Sequence, residues 1–117
     1  MSSLVSVIGT KPEYKLATIA NGATESSEIN LNGKTVCGLI MPSAFTGTTM
    51  TFKGARTVGG TFVTLKDTSG TDKSITVGTS RYIILDPADF AGIENLKLVS
   101  GSAEGAARDV YVATRIL

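Results

Sequence analysis

The chain has 117 residues, with 11 Lys and Arg against 10 Asp and Glu, one Cys, and neither His nor Trp. A chain of this length is one domain, which buries roughly two thirds of the surface of its unfolded state. Without histidine it can form no Ser-His-Asp or Cys-His catalytic system and no His-ligated zinc site. A net charge of +1 with 18% charged residues gives no basic patch, so we expect no nucleic-acid partner.

Residues 1–12 differ in character from the rest of the chain. They contain a small apolar patch made of Leu4, Val5, Val7 and Ile8, and Pro12 then interrupts any continuous ladder. We expect an N-terminal arm, which either folds back as an edge strand over residues 4–8 or adds to a neighbouring subunit as a strand. The four apolar residues are therefore the predicted protein interface.

The N-terminal region and the cysteine count bear on where the protein is made. No basic region precedes the short apolar stretch, unlike in a signal peptide, and no run of ~18 apolar residues occurs. We therefore expect neither signal-peptide export nor a membrane partner. A single cysteine rules out a disulfide framework and is typical of a protein made in a reducing cytoplasm.

Residues 13–117 are predicted to form a single antiparallel β-sandwich or jelly-roll domain. Met50 and Phe52 alternate with polar neighbours, which is the period of a half-buried strand, and Thr, Val and Ile favour strands throughout. We predict strands at residues 4–8, 14–20, 26–31, 35–41, 48–53, 61–66, 73–77, 81–85, 95–99 and 109–116. Short strands at this spacing, without a long helical pattern, indicate an all-β fold.

Two local patterns predict particular connections. Asn32-Gly33 is typical of a two-residue β-hairpin turn, so we expect the strands at 26–31 and 35–41 to pair with each other. Asp86 followed by Pro87 predicts one short helical turn near residues 87–91, with the aspartate as its N-cap.

The other chemically suggestive groups have simpler structural interpretations. Cys37 lies in an apolar run and is expected to be a small core residue. Asp86 and Asp89 are close in sequence, but capping and solvation explain them better than a catalytic carboxylate pair does. The loop at 67–72 lacks the oxygen spacing of a calcium site and is predicted to be polar and metal-free. We expect no catalytic residue, no cofactor and no metal.

The aromatic residues leave two interpretations open. Tyr14, Tyr82 and Tyr111 either form a platform for a sugar or cover a sheet face as ordinary strand residues. The surface as a whole is predicted to be rich in Thr, Ser and Gly and poor in charge, which is typical of a protein packed against other proteins. A structural or assembly role is therefore the leading class on composition alone.

Four segments resemble a family of small virion proteins from tailed bacteriophages. Residues 17–33 contain the turn IANG followed by the strand SSEI, and residues 36–45 read VCGLIMPSAF. Residues 80–92 read SRYIILDPADFAG, and residues 96–102 read LKLVSGS. The chain thereby resembles the jelly-roll cement, or decoration, proteins of short-tailed phage heads from about residue 15 to the C terminus.

This resemblance implies a function without catalysis. The protein would bind the major capsid protein on the outer surface of the phage head and stabilise the shell, as a homo-oligomer in which a dimer is favoured over a trimer. It would be made in the host cytoplasm and reside in the virion. The alternative is a carbohydrate- or receptor-binding β-sandwich in a tail or surface adhesin.

Overall fold

The computed structural model describes residues 11–116. Along this part of the chain nine strands and one short helix follow one another: β1 (Glu13–Ile19), β2 (Ile29–Asn30), β3 (Thr35–Ile40), β4 (Thr49–Ala55), β5 (Val63–Thr64), β6 (Ser74–Thr76), β7 (Tyr82–Ile84), a 3-10 helix (Pro87–Phe90), β8 (Asn95–Ser100) and β9 (Arg108–Arg115). The strands form two antiparallel sheets packed as a sandwich.

The first sheet has the strand order β1-β9-β3-β7, and the second has the order β2-β8-β4-β5 with β6 also paired to β4. Phe52 of β4 and Phe90 of the 3-10 helix are fully buried, and their rings meet edge to face with centroids 5.1 Å apart. Leu39 and Val112 from the first sheet pack into the same core. Alternating inward residues of both sheets thus fill one hydrophobic layer.

The predicted all-β sandwich is confirmed, and most strand positions agree with the prediction to within one or two residues. The short helical turn is confirmed as well, because Asp86 accepts a hydrogen bond from the Ala88 backbone N–H at 3.0 Å as the N-cap. The strand predicted at 4–8 lies outside the described residues. So does the predicted interface, which consists of Leu4, Val5, Val7 and Ile8.

The hairpin predicted at Asn32-Gly33 is wrong in its pairing, although the turn itself is present. Both residues have positive φ, 53° and 78°, and the Lys34 N–H donates to the Leu31 carbonyl at 3.0 Å. However, β2 pairs with β8 in the second sheet, whereas β3 pairs with β9 and β7 in the first. The turn depends on two residues alone, but the partner of each strand depends on which sheet buries its apolar side chains.

Cys37 is half-buried, which corrects the prediction of a core residue. It lies at a β-bulge, where the register between β3 and β9 shifts between Val36 and Gly38. Its thiol contacts the Ala113 carbonyl at 3.4 Å. The extra residue of a bulge breaks the strict alternation of inward and outward side chains, so the apolar run around Cys37 did not predict its burial.

Candidate functional site

The carboxylates singled out in the sequence have structural partners. Asp89 forms an ion pair with Lys73 at 2.6 Å, and Asp67 accepts hydrogen bonds from two N–H groups of its own loop, those of Ser69 and Thr71. Within residues 11–116 no group of three or more Cys, Asp or Glu side chains is placed to hold a metal ion. None of the helices in the described residues is long and apolar enough to cross a membrane.

Three loops meet at one end of the sandwich, and we call this surface the loop end. They are residues 20–24, 42–48 and 101–107. The backbone of Glu104 joins the first and third loops, because its carbonyl accepts from the Gly22 N–H at 2.7 Å and its N–H donates to the Ala23 carbonyl at 3.0 Å. The Glu104 side chain joins the second loop to the third, as described next.

The Glu104 carboxylate is fully buried and accepts four hydrogen bonds. One oxygen accepts from the Thr46 backbone N–H at 2.8 Å and from the Arg108 guanidinium at 3.0 Å. The other accepts from the Gly47 backbone N–H at 2.9 Å and from the Ser100 hydroxyl at 2.7 Å. Each of the two carboxylate oxygens thus accepts two hydrogen bonds, and these bonds hold the loop backbone and the Ser100 and Arg108 side chains in place.

The ionisation of Glu104 follows from this environment. Burial acts to raise the pKa of its carboxyl group, but the hydrogen bonds from Thr46, Ser100, Gly47 and Arg108 favour the charged form and leave the pKa below its ordinary value. Glu104 is therefore an ionised carboxylate at neutral pH. The sequence analysis missed this residue, for which the available signal was a lone acid in a loop of Ala, Gly and Ser, four residues before Arg108.

The solvent-facing part of the loop end carries no charge. The exposed residues of the three loops are Ala, Asn, Gly, Ser and Thr alone, because Glu104 points inward. Small side chains of this kind lose little conformational entropy when another protein covers them. The loop end is therefore an uncharged surface whose backbone is already held in place.

A second uncharged surface lies on the outer face of the first sheet. Two rows of residues face each other across its four strands and define what we call the tyrosine face: Leu16, Tyr111, Ile40 and Tyr82 in one row, and Tyr14, Ala113, Gly38 and Ile84 in the other. The three tyrosines of the sequence analysis thus lie on one sheet face. Strand register brings them together, although they are far apart in the sequence.

The side chains of the tyrosine face are large, apolar and accessible. Ile84 is 88% exposed, and the three tyrosines are each about half exposed. The Tyr82 ring lies over Gly38, where an added Cβ would approach its Cε1 atom to 2.8 Å. Partial burial, and then a hydrogen bond with the Tyr14 side chain, raise the pKa of Tyr82. The polar ends of the Tyr82 and Tyr14 side chains therefore lie close together on this face.

The outer face of the second sheet is different in character. Lys53 and Lys97 lie opposite each other on β4 and β8, and Lys53 forms an ion pair with Glu25 at 2.7 Å. The Lys97 ammonium lies 4.7 Å from the centre of the Phe62 ring. Charged groups keep this face hydrated, so the lack of charge on the tyrosine face is not a general property of the molecule.

No protein-family model and no curated protein matches the chain. Among solved structures, the crystal structure of the SPBc2 prophage-derived protein YomS is similar to it, with a TM-score of 0.53 and 16% sequence identity. The similarity covers 93% of this chain and 98% of that chain. At this identity the likeness shows the fold, and it extends over almost the whole of both molecules.

Proposed function

We propose that this protein is a structural protein of a bacteriophage virion, which binds the outer surface of the head and stabilises the shell of major capsid protein without catalysing a reaction. The observation that carries the proposal is the loop end, an uncharged surface fixed by the buried Glu104 carboxylate. The sequence resemblance to head decoration proteins supports the proposal, as does a similar fold in a protein whose name derives from a prophage.

The loop end is suited to binding rather than to chemistry. Cores of protein interfaces are depleted in charge, and an interface that is ordered before binding loses less entropy on association. The hydrogen bonds to Glu104 supply that order in three loops at once. We therefore assign the contact with the capsid protein to the loop end. Residues 1–12 stay a predicted arm that either folds back as an edge strand or pairs with a neighbouring subunit.

Binding alone is enough to stabilise a shell. A ligand that binds the assembled state stabilises it by RT ln(1 + [L]/Kd), which is about 4 kcal/mol per site when the ligand is at a thousandfold excess over Kd. The same contact repeats at every equivalent position of an icosahedral particle. Modest affinity at each site therefore gives a large total effect.

The test is occupancy of phage heads. Purified virions should contain the protein in fixed proportion to the major capsid protein, and heads that lack it should bind added protein. Ala44→Arg and Ala106→Arg, on exposed positions of the loop end, should abolish that binding, while Ala88→Arg on the exposed 3-10 helix should not. Presence only in the infected-cell lysate, or full occupancy by both loop-end variants, would refute the proposal.

A second candidate is a carbohydrate- or receptor-binding module of a tail or surface adhesin. The convergence of Tyr14, Tyr82 and Tyr111 on one exposed face favours it, because sugars stack on aromatic rings. Binding to a glycan array that is lost in each Tyr→Ala variant would support this candidate. Wild-type protein that binds no glycan would argue against it.

A further inference from the structure

The tyrosine face needs an explanation that the loop end does not provide. Its two rows contain no charged residue, whereas the outer face of the second sheet carries Lys53 and Lys97. A contiguous apolar patch of this kind on a small protein marks a contact surface. The loop end lies at the end of the sandwich and leaves this sheet face uncovered.

The size of the patch indicates what kind of contact it makes. At about 200 Å² for each tyrosine, the three half-exposed rings alone leave roughly 300 Å² accessible. Leu16 and Ile84 extend this area to both edge strands of the sheet. Two such faces in contact bury an area close to the lower limit of about 1,200 Å² for specific complexes.

Two charges of opposite sign on β9 border the tyrosine face at its two ends. On β9, Asp109 lies beyond Tyr111 at one end of the face, and Arg115 lies beyond Ala113 at the other. If two copies meet with their β9 strands antiparallel, Asp109 of each copy lies at the Arg115 end of the other. A two-fold axis that lies between the two sheets and runs perpendicular to the β9 strands produces this arrangement. A two-fold axis along the strands would make the β9 strands parallel and place like charges together.

We propose that the tyrosine face binds the tyrosine face of a second copy of this chain, in a two-fold dimer whose β9 strands run antiparallel. Large aromatic side chains at the centre and opposite charges at the border are the composition of a specific protein interface. A contact area at this lower limit is typical of weak, transient complexes, so we expect a reversible dimer that forms at micromolar concentrations. The proposal does not depend on the proposed function, because the loop end stays free in such a dimer.

The test is sedimentation equilibrium of the full chain from low to high micromolar concentration. The wild type should pass from monomer to dimer over this range. Ile84→Lys and Tyr111→Lys each place a charge on the tyrosine face and should weaken dimerisation by at least about 30-fold. Val63→Lys is the matched control, because Val63 is 61% exposed on β5 of the second sheet, and it should dimerise like the wild type.

Several outcomes would overturn the proposal. They are a wild type that stays monomeric throughout, a dimer that survives both face variants, and a dimer that is lost only when residues 1–12 are deleted. Thermal unfolding of each variant shows whether it is folded. If Tyr111→Lys is unfolded, the dimerisation test rests on Ile84→Lys alone. A wild-type monomer that binds glycans through the tyrosines would assign the face to a sugar instead.

A separate experiment tests the antiparallel orientation of the two β9 strands in the dimer. Asp109→Lys should weaken the dimer by about 2- to 5-fold, because it places a cation near the partner copy's arginine. Arg115→Glu should also weaken the dimer, because it places an anion near the partner copy's aspartate. The double variant with both substitutions should recover affinity. A double variant that is weaker than either single variant would overturn the antiparallel arrangement.

Discussion

The loop end and the tyrosine face are both uncharged, but they form in different ways. The loop end depends on one buried ion, Glu104, whose carboxylate fixes loop backbone that no sheet supports. The tyrosine face depends on strand register, which places eight residues in two rows over an already hydrogen-bonded sheet. Substitutions at the buried ion should therefore affect stability, whereas substitutions on the tyrosine face should affect association.

The largest effect is expected from Glu104→Gln. The amide keeps the size of the side chain but leaves buried donors, and the Arg108 guanidinium, without their charged acceptor. We expect the free energy of unfolding to fall by about 3–5 kcal/mol, measured by urea denaturation. The matched control is Glu13→Gln at the exposed first residue of β1, which should leave the curve almost unchanged. Equal curves for both variants would mean that Glu104 does not hold the loop end.

Gly47→Ala tests how closely the backbone must approach the carboxylate. A Cβ at this position would lie 2.2 Å from the Ser100 hydroxyl, which itself donates to Glu104. We expect a loss of about 1–3 kcal/mol, because the added methyl group forces the loop or the serine to move. Gly105→Ala is the control in the same loop end, since its nearest contact would be 3.7 Å away. Similar losses in both variants would refute this account.

Glu104 at the loop end is expected to contribute to the pH dependence of stability. The pKa of Glu104 is lower in the folded than in the unfolded protein, so the unfolded state takes up the proton first as pH falls. The contribution of Glu104 to stability is therefore fully present above the unfolded pKa, at about 4.3, and declines as pH falls from there through the folded pKa. Urea denaturation at a series of pH values should show this decline in the wild type and a flatter profile in Glu104→Gln. Parallel profiles would contradict the assignment.

The smallest effect on stability is expected from Tyr111→Thr. Threonine keeps the preference for a strand, and Tyr111 contributes only cross-strand contacts on a half-exposed face. We expect the free energy of unfolding of the dilute monomer to change by no more than about 1 kcal/mol, measured by thermal denaturation. A loss as large as that of Glu104→Gln would show that the tyrosine face is part of the folding core and would remove the contrast between the two surfaces.

Local patterns in the sequence predicted most of the fold. Alternation located the strands, and Asp86-Pro87 located the helical turn, because each signal depends on neighbouring residues. Pairing between distant segments was not predictable in this way. Asn32-Gly33 forms the expected turn but joins two sheets, since the partner of β2 is β8.

The two candidate surfaces were harder to predict for the same reason. Glu104 meets Thr46 and Gly47, which lie 58 and 57 residues earlier, and nothing in the loop sequence indicates them. The tyrosines were recognisable as strand residues, but their common face depends on the registers of four strands. Composition predicted a surface poor in charge. In the folded protein the uncharged residues are concentrated on two separate surfaces, the loop end and the tyrosine face.

The pairing of β1 with β9 sets the order of events during biosynthesis. Glu13 lies opposite Thr114, and the Thr114 hydroxyl donates to the Glu13 carbonyl across a separation of 101 residues. Closing so long a loop is slow, and β9 also separates β1 from β3 in the first sheet. On a ribosome, a growing chain that has not yet released β9 therefore has no tyrosine face.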